Sequence, residues 1–399
     1  MRRNIDDCEP IDNSIAFAFV AFGDGNQSFL PGQSLGIEVF PAENRAKVVL
    51  LLSRIQPSHE ESADILISCR GWLTVEKIVF AMVAVHDLWR ITGSGLGAPR
   101  GLLMAGGSSV DIVVVTYNSA GFLPGLFRSI RQLQYEAAKL VVYLVDNCSQ
   151  DDTLAVACRE SELLTIPTKM IASPRNTGFA GGVNQGIAEG QGEYICVVNP
   201  DAEFSPDTIS QLVAVLNRDE RIAIADARQS PIEHPKCYDP AKGETSWCSG
   251  ACCLLRRSAI EKVGAFDARF FMYCEDVDLS WRLWRAGYRC FYARDAVILH
   301  HKPNVSGHVN ETEYFYGVRN GLLMRLIYGG LAEILRYYYA RLMEAVYRQR
   351  DPRLRQLLRR ALLRHVLLVP HALARRQREP KSDCAWIHFN GILYGDHRW

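Results

Sequence analysis

The sequence predicts an α/β protein: a mostly parallel sheet with helices on both faces, preceded by a small β-rich module and followed by a helical tail. Three observations predict it. From Val110 onward, apolar runs alternate with amphipathic stretches, as strands do when they cross over through helices into a parallel sheet. Ahead of that, short alternating segments are separated by Gly, Pro and Asn clusters, the pattern of strands joined by turns. After about residue 307 the periodicity turns helical. The regions are 1–104, 110–305 and 306–399.

In the first region, Ser14–Phe22, Ser34–Phe40, Lys47–Leu52 and Ile65–Ser68 read as strands, with natural turns after Phe22 and Phe40. Lys77–Arg90 fits either a strand pair or a helix. A small β-sandwich is expected, and Gly101–Ser109 reads as a flexible junction. In the second region, Val110–Thr116, Leu140–Val145, Lys169–Ala172 and Tyr194–Val198 are buried-strand candidates. Sheets of this kind bind ligands outside the carboxyl ends of their strands. Thr116-Tyr117-Asn118, Asp146-Asn147, Arg175-Asn176 and Asn199-Pro200-Asp201 all fall at such ends, so four polar clusters line one edge. The tail holds helix candidates at Glu311–Tyr328, Leu331–Arg348 and Pro352–Leu368.

The 399 residues, 48% hydrophobic and 22% charged, suffice for two or three domains with a substantial core. The net charge of +1 conceals an uneven distribution: residues 341–378 carry eleven arginines and no lysine against Glu344 and Asp351. Such a tail suggests a polyanionic partner. No nucleic-acid reader motif accompanies the charge, which leaves a membrane surface or a phosphorylated acceptor. The twelve cysteines are irregularly spaced, and the one cluster, Cys248, Cys252 and Cys253, lacks a second pair at zinc-site spacing. Buried thiols in a reducing cytoplasm are expected. The first residues lack the apolar core of a signal peptide, and no apolar run approaches the roughly 18 residues of a membrane span.

Phe271–Arg282 is the most informative segment. Glu275, Asp276 and Asp278 fall at the start of a helix, where free N–H groups and the helix dipole favour carboxylates. With acidic loops also ending two upstream strands, a cation-assisted site for a phosphorylated ligand becomes the stronger reading. Asp278 and Arg282, four residues apart, read as an ordinary helical ion pair. Asp151 and Asp152 read as helix caps.

Residues 110 to about 305 resemble a family 2 glycosyltransferase of the GT-A fold, and within that family the bacterial rhamnosyltransferase-like branch. The matching run includes Thr116-Tyr117-Asn118, Asp146-Asn147, Asn176 through Gly178, Gly181 and Gly182 to Asn184, and Asn199-Pro200-Asp201. It continues through Ser249-Gly250-Ala251, Gly264 to Asp267, Glu275-Asp276-Val277-Asp278 and His300-His301. The resemblance implies a Rossmann-like nucleotide-sugar-binding domain and inverting transfer of a sugar from a nucleotide-diphosphate donor. The acceptor it implies is a saccharide or lipid-linked saccharide, in cell-surface polysaccharide synthesis.

Carried over residue by residue, Thr116, Tyr117 and Asp146 match positions that hold the nucleobase and ribose, with Asn118 and Asn147 beside them. An Asp can accept from a pyrimidine imide N–H, and a Tyr supplies a flat apolar wall; a dTDP- or UDP-sugar is the expected donor. Asn176, Gly178 and Gly181 open a helix where backbone N–H groups can approach a diphosphate, and Arg175 could add positive charge there. Asn199-Pro200-Asp201 occupies the place of the family's Asp-x-Asp motif, so Asp201 is the expected ligand of Mg²⁺ or Mn²⁺, with Asn199 organising the loop. The resemblance adds His300 or His301 to the metal site. Asp276 is the expected general base, because an acceptor hydroxyl must lose its proton as the new C–O bond forms; Glu275 assists. Trp247, Gly250 and Ala251 are expected to shape the acceptor pocket, although a core role competes for Trp247. Arg319-Asn320 resembles a recurring family pair without an assigned role.

Aromatic, apolar and cationic side chains after Tyr337 also suggest peripheral contact with the inner face of the cell membrane. Two other function classes compete. A sugar nucleotidyltransferase would carry a basic Gly-rich loop after the first strand, which Thr116-Tyr117-Asn118-Ser119 is not. A non-catalytic carbohydrate-binding protein of the same fold would be marked by loss of Asp201 or Asp276, and both are present.

Overall fold

The structure, a computed structural model, describes residues 33–42, 45–54, 64–65, 108–233, 236–301, 310–378, 384–385, 387–389, 393–394 and 397–398. The chain forms two units, Met1–Leu103 and Met104–Trp399. In the first, β1 (Gln33–Ala42) and β2 (Arg45–Arg54) pair antiparallel, and β3 (Asp64–Ile65) extends the sheet beside β2. These strands cover the expected Ser34–Phe40 and Lys47–Leu52. The expected elements at Ser14–Phe22 and Lys77–Arg90, and residues 101–107 of the junction, lie outside the described residues.

The second unit opens with β4 (Val110–Thr116), α1 (Leu123–Arg131), β5 (Leu140–Asp146), α2 (Thr153–Ser161), β6 (Thr168–Ala172), α3 (Gly178–Glu189) and β7 (Tyr194–Val198). It continues through β8 (Ala202–Phe204), α4 (Thr208–Leu216), β9 (Ile222–Ser230), β10 (Cys252–Arg256), α5 (Arg257–Val263), α6 (Glu275–Arg285) and β11 (Arg289–His300). The eight strands form one sheet in the order β6-β5-β4-β7-β10-β9-β11-β8. From β6 to β7 every pairing is parallel, as the alternating pattern predicts. Beyond β7 the sheet is mixed: β10 runs antiparallel to both neighbours, β9 and β11 are parallel, and β8 is antiparallel to β11.

The alternation of β4 fixes the layers. Val110, Ile112 and Val114 pack into one core with α1 and α4, while Val113 and Val115 enter a second core with α3, α5 and α6. Both faces are therefore covered, which is why these strands read as unbroken apolar runs. Cys248, Cys252 and Cys253 are buried, as expected of thiols in apolar runs.

Among the described residues four helices follow: α7 (Glu311–Tyr328), α8 (Leu331–Met343) continued by a π-helical turn at Glu344–Arg348, α9 (Pro352–Val366) and α10 (Val369–Arg378). The caps explain their starts. Asn310 accepts from the N–H groups of Thr312 and Glu313, and Asp351, followed by Pro352, accepts from that of Arg353. These helices pack on the sheet through α6: Val277 and Trp281 share a core with Leu323, Met324 and Ile327 of α7 and Ala372 of α10. A last short ladder joins β12 (Leu393–Tyr394) to β13 (His397–Arg398). Among the described residues no helix is long and apolar enough to cross a membrane.

Candidate active site

Parallel pairing brings the polar clusters together. Thr116 lies opposite Asp146, and Val114 opposite Val198, so β4, β5 and β7 end on one edge. Strand β10 starts at that edge, and the Ala251 carbonyl ahead of it accepts from the Asn199 N–H at 2.9 Å. His300, the last residue of β11, pairs with Ala202 of β8 just past Asp201.

At the ends of β4 and β5, buried Thr116 donates its hydroxyl to Asp146 Oδ1 at 3.2 Å, and Asp146 Oδ2 accepts from the Ser149 N–H at 3.1 Å. Tyr117 is half exposed beside them. Asn118, at φ 51°, joins the two loops: its N–H donates to Ser149 Oγ and its Oδ1 accepts from the Gln150 N–H. Of the two expected caps, Asp151 accepts from the Thr153 N–H at 3.1 Å, while Asp152, at the N-cap of α2, makes no side-chain cap bond.

Asn147 bonds to the Gly-rich loop. Its Nδ2 donates to Asn176 Oδ1 and the Gly178 carbonyl, and its Oδ1 accepts from the N–H and hydroxyl of Thr177. All four bonding positions of the amide are used within the protein, so Asn147 holds the Gly-rich loop. Asn176 Oδ1 also accepts from the Gly178 N–H at 2.8 Å, while Arg175 is exposed at the rim. Gly178 has φ +74°, and a Cβ there would lie 2.3 Å from the Phe271 carbonyl oxygen. A Cβ on Gly181 would lie 2.7 Å from that of Thr177. These glycines are set by close packing, with the first also by its backbone.

The pair Asp201–His300 has the chemistry of a partial metal site. Gln229 Nε2 donates to Ser249 Oγ at 3.2 Å, which turns the Gln229 carbonyl oxygen towards His300 Nδ1 at 2.8 Å. Nδ1 then carries the imidazole proton, leaving a lone pair on Nε2. Nε2 faces Asp201 Oδ1 at 3.3 Å, and two acceptors that close need a proton or a cation between them. His301 is not part of this pair: its Nε2 meets Glu203 Oε1 at 2.8 Å on the exposed side. Among the described residues no three acidic, His or Cys side chains gather as a preformed metal cluster. Two ligands fit a cation whose remaining sites are filled by diphosphate oxygens and water.

Glu275 and Asp276 begin α6, both buried. Asp276 Oδ2 accepts from the Gly250 N–H at 3.1 Å and Oδ1 from the Val277 N–H at 2.8 Å. Burial raises the Asp276 carboxyl above the ordinary carboxylate range, against those two bonds and the Lys236 charge. Burial, reinforced by the charges of Asp276 and Asp278, holds Glu275 well above that range, and Glu275 Oε2 has no hydrogen-bond partner. Tyr273 is pushed up to about 12, first by burial and then by Glu313, Glu275 and Asp201, so acidic groups of α6 and of the β7 end act on one phenol.

Trp247 corrects an expectation. It is fully buried in the core with Phe270 and Trp281, with the Lys236 ammonium over its ring, so its face is not offered to a sugar. Gly250 and Ala251 do stand at the site, held from behind. The Ser249 N–H donates to Asp226 Oδ2 at 2.8 Å, and buried Lys236 pairs with the same carboxylate. Asp226, Gln229 and Lys236 carry no sequence signal beyond polar residues interrupting apolar β9 and a lone lysine in a loop. Asp278 is more than the helical pair expected: it meets Arg282 at 3.0 Å, Arg375 of α10 at 2.9 Å and the Tyr328 hydroxyl of α7 at 2.8 Å.

Residues 111–245 match the family model described as Glycosyl transferase family 2, and residues 236–380 match that of Glycosyl transferase family group 2. An N-acetylglucosaminyl-diphospho-decaprenol L-rhamnosyltransferase of Mycobacterium tuberculosis is 30% identical over 245 residues, 50% of this chain and 78% of the relative. The rhamnosyltransferase WbbL of Escherichia coli is 50% identical over 46 residues, 12% of this chain and 17% of its own. Among solved structures, a mannosyltransferase from Pyrobaculum calidifontis in complex with GDP-Man and Mn2+ aligns at a TM-score of 0.48 and 17% identity, over 76% of this chain and 96% of that one.

Proposed function

Because the chain belongs to glycosyltransferase family 2, in its rhamnosyltransferase-like branch with the GT-A fold, we propose an inverting, cation-dependent transfer from a dTDP- or UDP-sugar, rhamnose first among candidates. The acceptor in this reading is a saccharide hydroxyl, carried on a lipid diphosphate as the name of the mycobacterial relative describes for that enzyme. The observation that carries the reading is Asp276, a buried carboxylate of raised proton affinity held by the Gly250 N–H at the edge where Asp146 and Asp201 also stand.

Asp276 takes the proton of the acceptor hydroxyl as its oxygen bonds to the anomeric carbon, and raised affinity suits a base acting near neutrality. Attack opposite the departing nucleoside diphosphate inverts that carbon. Asp146 receives the base and Tyr117 lies along it, while exposed Arg175 at the rim of the glycine-rich loop meets the diphosphate. Asp201 and His300 would hold Mg²⁺ or Mn²⁺, which neutralises charge on the leaving diphosphate when bound. Asp146, Asp201, Glu275 and Asp276 otherwise make this edge acidic, and a diphosphate needs a compensating cation there.

Peripheral attachment to the inner face of the cell membrane is also proposed. Leu331, Leu335 and Tyr339 are exposed along α8, and Leu363 and Val366 on α9 beside exposed Arg360 and Arg364. An apolar face flanked by cations suits an anionic bilayer.

A thermal-shift panel of UDP, dTDP, GDP and NAD, with and without Mn²⁺, tests the donor reading, since a ligand of the native state raises its apparent stability. A Mn²⁺-dependent shift with dTDP or UDP is expected. A shift with NAD alone, or none, overturns it. Asp276→Asn is expected to abolish transfer and keep the nucleotide shift; full transfer by that variant removes the base assignment.

A further inference from the structure

Between the 3₁₀ turn Ala268–Phe270 and α6, the chain passes through three non-glycine residues in the left-handed region: Phe271 at φ 65°, Tyr273 at φ 65° and Cys274 at φ 71°. Such backbone conformations are strained for L residues and persist only where their surroundings over-determine them. Here the surroundings are α7. Asn320, fully buried, donates its Nδ2 to three carbonyls of this loop: Phe270 at 2.9 Å, Met272 at 2.8 Å and Tyr273 at 2.7 Å. Arg319 Nε donates to Asn320 Oδ1 at 2.9 Å, which leaves the amide only one way to point. The Arg319 guanidinium also reaches the Arg269 carbonyl at 2.9 Å and lies over the Tyr316 ring, itself stacked on Phe271 at 5.0 Å.

The Phe271 carbonyl faces the opposite way. Phe271 O accepts from the Ala180 N–H at 3.1 Å, in the first turn of α3. One loop thus joins the glycine-rich helix start to the residue before Glu275 and Asp276. Remove the amide, and the Met272 and Tyr273 carbonyls lose the donor that holds them, while Phe270 O keeps the Arg319 guanidinium and the Met272 N–H; the strained residues between lose that restraint.

We propose that Asn320, oriented by Arg319, is a positioning residue for transfer: it holds loop 270–274 in the one conformation that presents Asp276 to the acceptor hydroxyl. The inference rests on the reading of Asp276 as base, so its test has one arm independent of that reading. The Cys274 thiol, buried inside the loop, reports whether the loop is held.

In the full chain, Asn320→Ala is compared with the unsubstituted protein by N-ethylmaleimide labelling of Cys274, mapped by mass spectrometry, and by steady-state transfer from dTDP-rhamnose. Labelling at least about tenfold faster is expected. Turnover is expected to fall about 100-fold, the scale of an ångström of misplacement, with donor KM changed less than about threefold. A merely structural role would lower the melting temperature without that kcat-against-KM split. Cys274 labelling at the unsubstituted rate overturns the proposal, as does unchanged turnover with faster labelling. If Asn320→Ala does not fold, Arg319→Lys, which keeps the charge but loses the rigid Nε–H donor, is judged on the same two readouts. If the unsubstituted chain transfers nothing, the proposed function fails, and labelling alone decides whether Asn320 holds the loop.

Discussion

Glu275→Gln should make this protein more stable at neutral pH while slowing it. Glu275 is 5% exposed, its Oε2 meets no donor, and burial together with the Asp276 and Asp278 charges raises its carboxyl well above the ordinary range. Glutamine keeps the shape and removes the charge. A buried polar atom without a partner costs about 1–3 kcal/mol, and more when charged. Relief of about 1–3 kcal/mol at pH 8 is therefore expected, read as about 2–4 °C per kcal/mol on the scale of domains of 150–250 residues. The sign follows from proton linkage. A carboxyl whose folded affinity is raised contributes stability fully below its unfolded value, and that contribution is lost as pH climbs to the folded value. The variant and the original should thus melt together near pH 4 and separate as pH rises through neutrality. Melting curves by circular dichroism between those limits read the effect. A difference that stays flat with pH, or a less stable glutamine variant at pH 8, would refute the assignment of a buried carboxylate with one unpartnered oxygen.

Gly178→Ala, which places a Cβ 2.3 Å from the Phe271 carbonyl oxygen at φ +74°, should cost at least about 1–3 kcal/mol and weaken nucleotide binding, seen in thermal melts with and without dTDP. Asp201→Ala should remove the Mn²⁺-dependent part of the nucleotide-induced shift; a shift that keeps its full Mn²⁺ dependence excludes Asp201 as a ligand. Arg375→Ala should destabilise the fold at the low end of the roughly 3–5 kcal/mol for breaking a buried pair, because Arg282 still faces Asp278, and a urea midpoint measures it.

The legible parts of the molecule are those whose cause is local. Buried strands such as β4 and β5 are short apolar runs, and a polar residue at their ends marks an edge, which is how Thr116 and Asp146 come to light. The starts of α7 and α9 carry their own caps in Asn310 and Asp351-Pro352. What stayed hidden depends on partners distant in sequence. Trp247 has the composition of a sugar platform, and only the core around Phe270 and Trp281 makes it structural. Asn147 sits where a ligand residue would, yet Thr177 and Gly178 take up its amide. Phe271, Tyr273 and Cys274 offer no glycine to announce positive φ, since the restraint lies some fifty residues on in α7. Gln229 speaks only through His300, from another strand of the sheet.

Asp278 has a consequence for how such a protein can be cut and recombined. One carboxylate, wholly out of water, is answered by an arginine of its own helix, a tyrosine of α7 and an arginine of α10. The stretch after residue 305 looks in sequence like a detachable appendage, but its last helix carries a counter-charge for the helix that bears the catalytic candidates. A truncation before α10, or a graft from a relative without a cation at that point, would strand the carboxylate in the interior of α6. New acceptor specificities are then more readily reached by remodelling the loops at the sheet edge than by exchanging the tail, which is bound to its catalytic half by charge as well as by packing.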